Sequence, residues 1–325
     1  MKRVSMLLLS IMLFLISFSG IAFSADNIKI AMGYIPNVQF APYYVALQKG
    51  YFRDENLNVS FDYGMSTDIM SLVANGQIDF GVSDGDQVII AREKGIPVKV
   101  VYSMYVKYPV GVVSLAEKGI RRTEDLRGRS IGLPGPYGSS YIGLQILLAD
   151  AGIGLDEVDL KYIGYTQIES LLAGRIDAAV VYVNNEAVVL RDMGHAINLI
   201  EAYRVTPMAS AAIITSDSLI RSHPDLIRRF VRAVVRASEF ALNNRDQVMG
   251  LLRKSVPTLT EENLGINEKV LMESMKLWQD RDIENNGLGY TTSDDWQKSI
   301  DQLYQLGLIQ KRINPGDCYT DRFLR

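Results

Sequence analysis

The chain has 325 residues, one Cys, two His and a formal net charge of −3. This is enough chain for one or two substantial cores, a lone Cys excludes an internal disulfide framework, and a mildly acidic balance without a basic block argues against a nucleic-acid partner. Neither His195 nor His223 has the neighbours of a nucleophile's base or of a metal cluster, so catalysis, metals and cofactors are not expected.

The chain opens with Lys2 and Arg3, an apolar run over residues 6–18, and small residues at Ala22, Ser24 and Ala25. That is the layout of a secretory signal peptide. The run falls short of the about 20 apolar residues that a bilayer span needs. Residues 1–25 are therefore expected to be removed, leaving a start near Asp26 and, without Lys2 and Arg3, a charge of −5. No Cys stands at that junction to carry a lipid. The product is expected to be a soluble, periplasmic or otherwise extracytoplasmic protein.

Apolar runs rich in Val and Ile follow at residues 28–31, 78–82, 98–102, 110–115, 130–133, 178–183 and 211–215, and another strand is expected after His195. Near-continuous runs of this length are strands covered on both faces. Helical segments between them make the fold α/β with largely parallel sheets. After the first run, the segment from Gly33 to Tyr44 is dense in aromatics and amides; Tyr34, Asn37, Gln39, Phe40 and Tyr43 are candidates for stacking on a flat ring and bonding its edge. Tyr43 and Tyr44 could equally be the buried stripe of the helix that Pro42 starts and Gly50 ends.

A repeat comes next. The segment from Ser71 to Asp79 is echoed from Ser170 to Asp177; each copy ends a helix at a Gly and leads through Ile-Asp into a buried strand. Beyond the strands lie polar clusters, Ser83-Asp84-Gly85-Asp86 and Asn184-Asn185-Glu186. Two similar α/β lobes follow from this, each presenting polar residues past a strand's C-terminal end, where open α/β sheets bind ligands. Asp84 and Glu186 are candidates to accept hydrogen bonds from a ligand, whereas Asp79 and Asp177 read as turn-stabilising. Between the copies, Gly138, Ser139 and Ser140 open a helix whose N–H groups and hydroxyls favour an electron-rich ligand group. After Pro224, Leu226, Ile227, Phe230, Val231 and Val234 form one apolar helical stripe.

Gly33-Tyr34-Ile35-Pro36-Asn37, Ala46-Leu47-Gln48-Lys49-Gly50-Tyr51-Phe52, Gly76-Gln77-Ile78-Asp79-Phe80 and Asp125-Leu126-Arg127-Gly128 together resemble a family of ABC-importer solute-binding proteins. Its members bind sulfonates, taurine and thiamine precursors, and it includes the eukaryotic thiamine-pyrimidine synthase. Tyr182-Val183-Asn184-Asn185-Glu186 and Gly138-Ser139-Ser140-Tyr141 look most like the vitamin branch. The resemblance implies a two-lobed periplasmic binding protein fold of type II, with lobe 1 from residues 26–109 plus 204–325 and lobe 2 from residues 110–203. Crossovers would lie near residues 108–111 and 202–207. It implies ligand contacts from Asn37, Gln39, Tyr43, Asp84, Ser139, Ser140, Asn184 and Glu186. It also implies a small-molecule ligand, an inner-membrane permease with its ATPase as partner, and a monomer. Riboflavin ranks first as ligand, a thiamine pyrimidine precursor second and a sulfonate third. The synthase alternative lacks support, because the resemblance would require a Cys-rich iron segment where this chain has only Cys318.

Overall fold

The Val- and Ile-rich runs become strands in the computed structural model, which describes residues 24–63 and 68–324 except the side chains of residues 281 and 282. Among the described residues the strands are β1 (Asp26–Ala31), β2 (Leu57–Asp62), β3 (Phe80–Asp84), β4 (Val98–Ser103), β5 (Val110–Leu115), β6 (Ser130–Leu133), β7 (Asp159–Tyr162), β8 (Ala178–Tyr182), β9 (Ile197–Glu201) and β10 (Ala211–Ser216). The helices that shape core and site are α1 (Ala41–Gln48), α2 (Ile69–Ala74), α3 (Gly85–Glu93), α4 (Gly138–Asp150), α5 (Gln167–Leu172), α6 (Glu186–Asp192), α7 (Pro224–Asn243), α8 (Leu264–Lys276) and α9 (Ser293–Gln305). Most of the expected leader, residues 1–23, lies outside the described residues. No helix among the described residues is long and apolar enough to cross a membrane.

The strands form two five-stranded sheets in the orders β2-β1-β3-β10-β4 and β7-β6-β8-β5-β9. The orders are one topology written twice: β2, β1 and β3 pair in parallel, as do β7, β6 and β8, while β10 and β5 each run antiparallel to both neighbours. The repeat read in the sequence is thus the visible part of a duplicated lobe. Each sheet is mixed rather than largely parallel, for a topological reason. The chain leaves β4 at the sheet's C-terminal edge and enters the facing sheet from the same side, so β5 must run away from the cleft. The return from β9 to β10 repeats the constraint. β2 and β7 are the strands the apolar runs did not show; both are edges with alternating or mostly exposed residues, so neither carries a continuous apolar run.

Both repeat copies are locked the same way. Gly76 and Gly174 end α2 and α5 with φ of 70° and 65°, a region that carries a steric cost for residues with a Cβ. Asp79 then accepts from the Lys29 amide of β1 (2.9 Å), and Asp177 from the Ser130 amide of β6 (3.1 Å), each pinning its strand to the neighbour it pairs with. Lys118 adds a bond to Asp177 (2.9 Å) and, together with Ser130, holds that carboxyl down at about 2. Behind the first sheet, α7 lays its stripe inward: Phe230 stacks on Phe80 of β3 at 4.1 Å and on Phe52 at 5.4 Å. Its Arg229, Arg232 and Arg236 pair outward with Asp26, Glu55 and Asp54. Cys318 is buried and free, and burial pushes its thiol up to about 12, so it stays protonated and unreactive.

Candidate functional site

The strand ends of both sheets face a common cavity of about 370 Å³. Its walls repeat the duplication. From the first sheet, the β1–α1 connection supplies Tyr34, Gln39 and Phe40, the start of α2 supplies Ile69 and Met70, and the β3–α3 junction supplies Ser83, Asp84 and Gln87. From the second, the β6–α4 connection supplies Tyr137, Gly138, Ser139 and Ser140, the segment before and at the start of α5 supplies Tyr165 and Gln167, and the β8–α6 connection supplies Tyr182, Asn185 and Glu186. Met104 and Tyr105, on the first crossing between the sheets, complete one side. Gly33 lets the β1 loop turn in against β3: its φ is 69°, and a Cβ there would sit 3.0 Å from the Val82 carbonyl oxygen. The site therefore lies where carbonyl ends, loops and helix N-termini converge.

A polar network crosses the junction between the two sheets. Asp84 stands at the N-cap of α3, yet its carboxylate makes no capping bond to its own helix. Instead its Oδ2 accepts from the Tyr182 hydroxyl (2.7 Å) and from Ser139 Oγ (2.9 Å), both belonging to the opposite lobe. Asp86, one residue into α3, has Oδ1 2.8 Å from the same Ser139 Oγ and accepts from Gln87 (3.2 Å). Tyr108 OH lies 2.6 Å from Asp86 Oδ2 and 2.8 Å from the Ser139 carbonyl oxygen. One phenol proton cannot serve both acceptors, and one serine proton cannot serve both carboxylates; a proton held on Asp86 frees the Tyr108 proton for the carbonyl. The electrostatics agree. Burial and the neighbouring Asp84 push the Asp86 carboxyl up to about 7, while the two hydroxyl donors to Asp84 partly offset its own upward shift from burial. Among the described residues no Lys, Arg or His forms a salt bridge with either carboxylate.

The mouth is aromatic. Tyr34 from the first lobe and Tyr165 from the second meet edge to face, 5.4 Å between centroids at 67°. Burial, Glu186 and Tyr165 together push the Tyr34 hydroxyl up to about 12, so it remains a neutral donor. Glu186 is held above its usual range by burial; its Oε2 accepts from the Tyr182 amide (3.0 Å) and its Oε1 from Asn185 (3.3 Å).

Of the candidates read from the sequence, Tyr34, Gln39, Phe40, Asp84, Ser139, Ser140 and Glu186 line this cavity. Three do not. Asn37 spends its side chain capping the short turn Val38–Phe40, accepting from the Gln39 amide at 3.0 Å. Tyr43 is fully buried on the inward stripe of α1, where the helical period carries it away from the cavity and against Phe40. Asn184 is buried behind the wall, donating to Ser274 of α8 (2.8 Å) and to Tyr105 (3.4 Å); it fastens the β8–α6 loop to α8 and the crossing. In its place the next residue, Asn185, reaches the cavity. Ile69, Met70, Gln87, Tyr105, Tyr137, Tyr165, Gln167 and Tyr182 also line the cavity, although none is among the candidates read from the sequence. A signal existed for four of them: Tyr165 and Gln167 stand just ahead of the second repeat copy, as Ile69 and Met70 stand ahead of the first.

The model for the family described as NMT1/THI5 like matches residues 37–248. The chain belongs to that family. The riboflavin-binding protein RibY of Chloroflexus aurantiacus is 33% identical over 302 residues, 92% of this chain and 86% of its own. A formylaminopyrimidine-binding protein of Halalkalibacterium halodurans is 29% identical over 301 residues, covering 91% and 90%. A 4-amino-5-hydroxymethyl-2-methylpyrimidine phosphate synthase of Aspergillus parasiticus is also similar, at 25% over 93% of this chain and 88% of its own. Among solved structures, the alkanesulfonate-binding protein SsuA of Xanthomonas axonopodis pv. citri bound to MOPS superposes with a TM-score of 0.70 at 14% identity, covering 92% of this chain and all of that one (100%). The periplasmic binding protein fold, two α/β lobes with a mixed sheet in each, is thereby the fold of this NMT1/THI5-like chain.

Proposed function

We propose that this NMT1/THI5-like protein is the extracytoplasmic solute-binding subunit of an ABC importer, and that it captures a small flat nitrogen heterocycle, riboflavin or a thiamine pyrimidine precursor, between lobes formed by residues 26–109 plus 204–325 and residues 110–203. The observation that carries the reading is the cavity of about 370 Å³ with aromatic rings from both lobes at its mouth and amides and carboxylates in its walls. Stacking contributes about 0.5 to 1.5 kcal/mol per ring beyond area burial, and ring N–H groups complement Asp84 and Glu186. The volume lies within the range of sites for drug-sized ligands, about 300 to 1,000 Å³, which favours a tricyclic ring with a side chain over a single pyrimidine. The wall holds no Cys, His or Lys among the described residues, and so offers neither thiol, imidazole nor amine for covalent chemistry. Contacts from both lobes favour closure by the ligand's differential affinity for the closed form, and the closed protein would dock a permease that works with a cytoplasmic ATPase.

Titration of the purified protein with riboflavin and with a formylated aminopyrimidine, followed by flavin and Tyr/Trp fluorescence, tests the reading. Saturable binding of either, lost on Tyr165→Ala, is expected. Turnover of either compound by the protein alone would overturn it in favour of an enzyme.

A further inference from the structure

The N-terminus of α4 lines the cavity in a way that suits an anion, and two of the protein's own carboxyls already hold its Ser139 hydroxyl. α4 is a 13-residue helix whose first residues, Gly138, Ser139 and Ser140, line the cavity, and its N-cap residue Tyr137 supplies no side-chain bond. A helix start of this kind presents N–H groups and the positive end of the helix dipole. Ser139 Oγ lies 2.9 Å from Asp84 Oδ2 and 2.8 Å from Asp86 Oδ1. Asp84 reaches there at the expense of capping its own helix, which an Asp in that position ordinarily does. Glu186 adds a second carboxyl to the walls that Asp84 lines, Asp86 lies buried just behind them, and no Lys, Arg or His among the described residues lines the cavity to offset them.

We infer that Asp84 and Asp86 act as a built-in anion at the start of α4, so that the cavity accepts an uncharged or cationic heterocycle and rejects sulfonates and phosphate monoesters. This rests on reading the cavity as the ligand site. A ligand anion placed at Ser139 would meet two carboxyls within hydrogen-bond reach of the same hydroxyl, in a partly desolvated space where like charges repel strongly. The fold is shared with a sulfonate-binding protein, but the charge of this site is opposite to what a sulfonate needs.

Matched ligands test this. Riboflavin and its 5′-phosphate differ only in a terminal phosphate, and wild-type protein is expected to bind the phosphate at least about 100-fold more weakly. MOPS serves as an independent sulfonate probe by calorimetry: wild type is expected to give no saturable binding, and the double variant Asp84→Asn, Asp86→Asn to gain it, with at least about tenfold tighter binding of the flavin phosphate. Equal affinity for the two flavins, saturable MOPS binding by wild type, or a folded double variant that still refuses MOPS would each overturn the inference. Should no flavin bind, the choice of ligand fails, and the MOPS titrations still decide the charge selectivity. If the double variant does not fold, Asp84→Asn alone replaces it in the same titrations.

Discussion

On the proposed closure of the lobes around a ligand, the Ser139 hydroxyl shared by Asp84 and Asp86 is expected to make closure proton-linked. With the two lobes bridged as in this structure, burial and Asp84 push the Asp86 carboxyl up to about 7, against about 3.9 for a hydrated Asp. Opening would withdraw Ser139 and Tyr182 and admit water to both carboxyls. Between about pH 4 and about pH 7 the closed form then holds one more proton than the open form. Closure is strongest below that window, weakens by up to about tenfold per pH unit through it, and levels off above about pH 7. The whole difference amounts to at most about 4 kcal/mol, an upper bound because water reaching a partly open dyad reduces it. Tyr105, Tyr108 and Tyr182, the other titratable groups facing the pair, are held far above this range by burial, and Glu186, raised by its own burial, acts with the same sign. Calorimetric titration with riboflavin in two buffers of different ionisation enthalpy counts the protons. Wild type is expected to take up protons on binding near pH 6, and Asp86→Asn to lower that uptake by most of one proton and flatten the pH profile. Uptake unchanged by Asp86→Asn would refute the reasoning.

Three further outcomes follow from the packing. Phe230→Ala removes the ring that stacks on both Phe80 and Phe52 and is expected to cost about 3 to 5 kcal/mol in urea unfolding, with a parallel loss of thermal stability. Asn184→Ala strips Ser274 and Tyr105 of a buried partner; a loss of about 1 to 3 kcal/mol is expected, with riboflavin affinity falling less than in Tyr165→Ala because Asn184 stands behind the wall. Asp177, held down at about 2 by Lys118 and Ser130, stabilises the fold above the usual carboxylate range and loses that contribution as pH falls from about 4 towards about 2. Asp177→Asn should therefore cost less than about 1 kcal/mol of stability at pH 7 for a partly exposed pair, read as a modest fall in melting temperature, and converge on wild type in acid.

The strands were readable wherever they were buried on both faces, because burial forces an unbroken apolar run. β2 and β7 escaped for the opposite reason, being edges that water reaches. The antiparallel direction of β5 and β10 was hidden in the sequence, although both strands were legible as apolar runs. Strand direction is set by which side of the sheet the chain enters, and nothing in Val110–Leu115 or Ala211–Ser216 records it.

The candidate site divides along the same line. Asp84, Ser139 and Glu186 were legible because polar residues past a buried strand or at the head of a helix have no use in a core. Asn37, Tyr43 and Asn184 belong to the same stretches of sequence, but a cap, a helical stripe and a bond to a helix some ninety residues away turned them from the cavity. Neighbouring residues in a loop share composition and not direction, which is why Asn185 and not Asn184 faces the space.

By itself, then, the sequence determined the α/β class, the duplicated lobe and the loops that meet at its strand ends, since these follow from burial period, turn chemistry and an internal repeat. Only the tertiary structure decided that Asp84 turns from its own helix to the head of α4, where Asp86 and Ser139 join it. That contact joins residues 55 positions apart, and it exists because two lobes face each other, a relation no local pattern encodes.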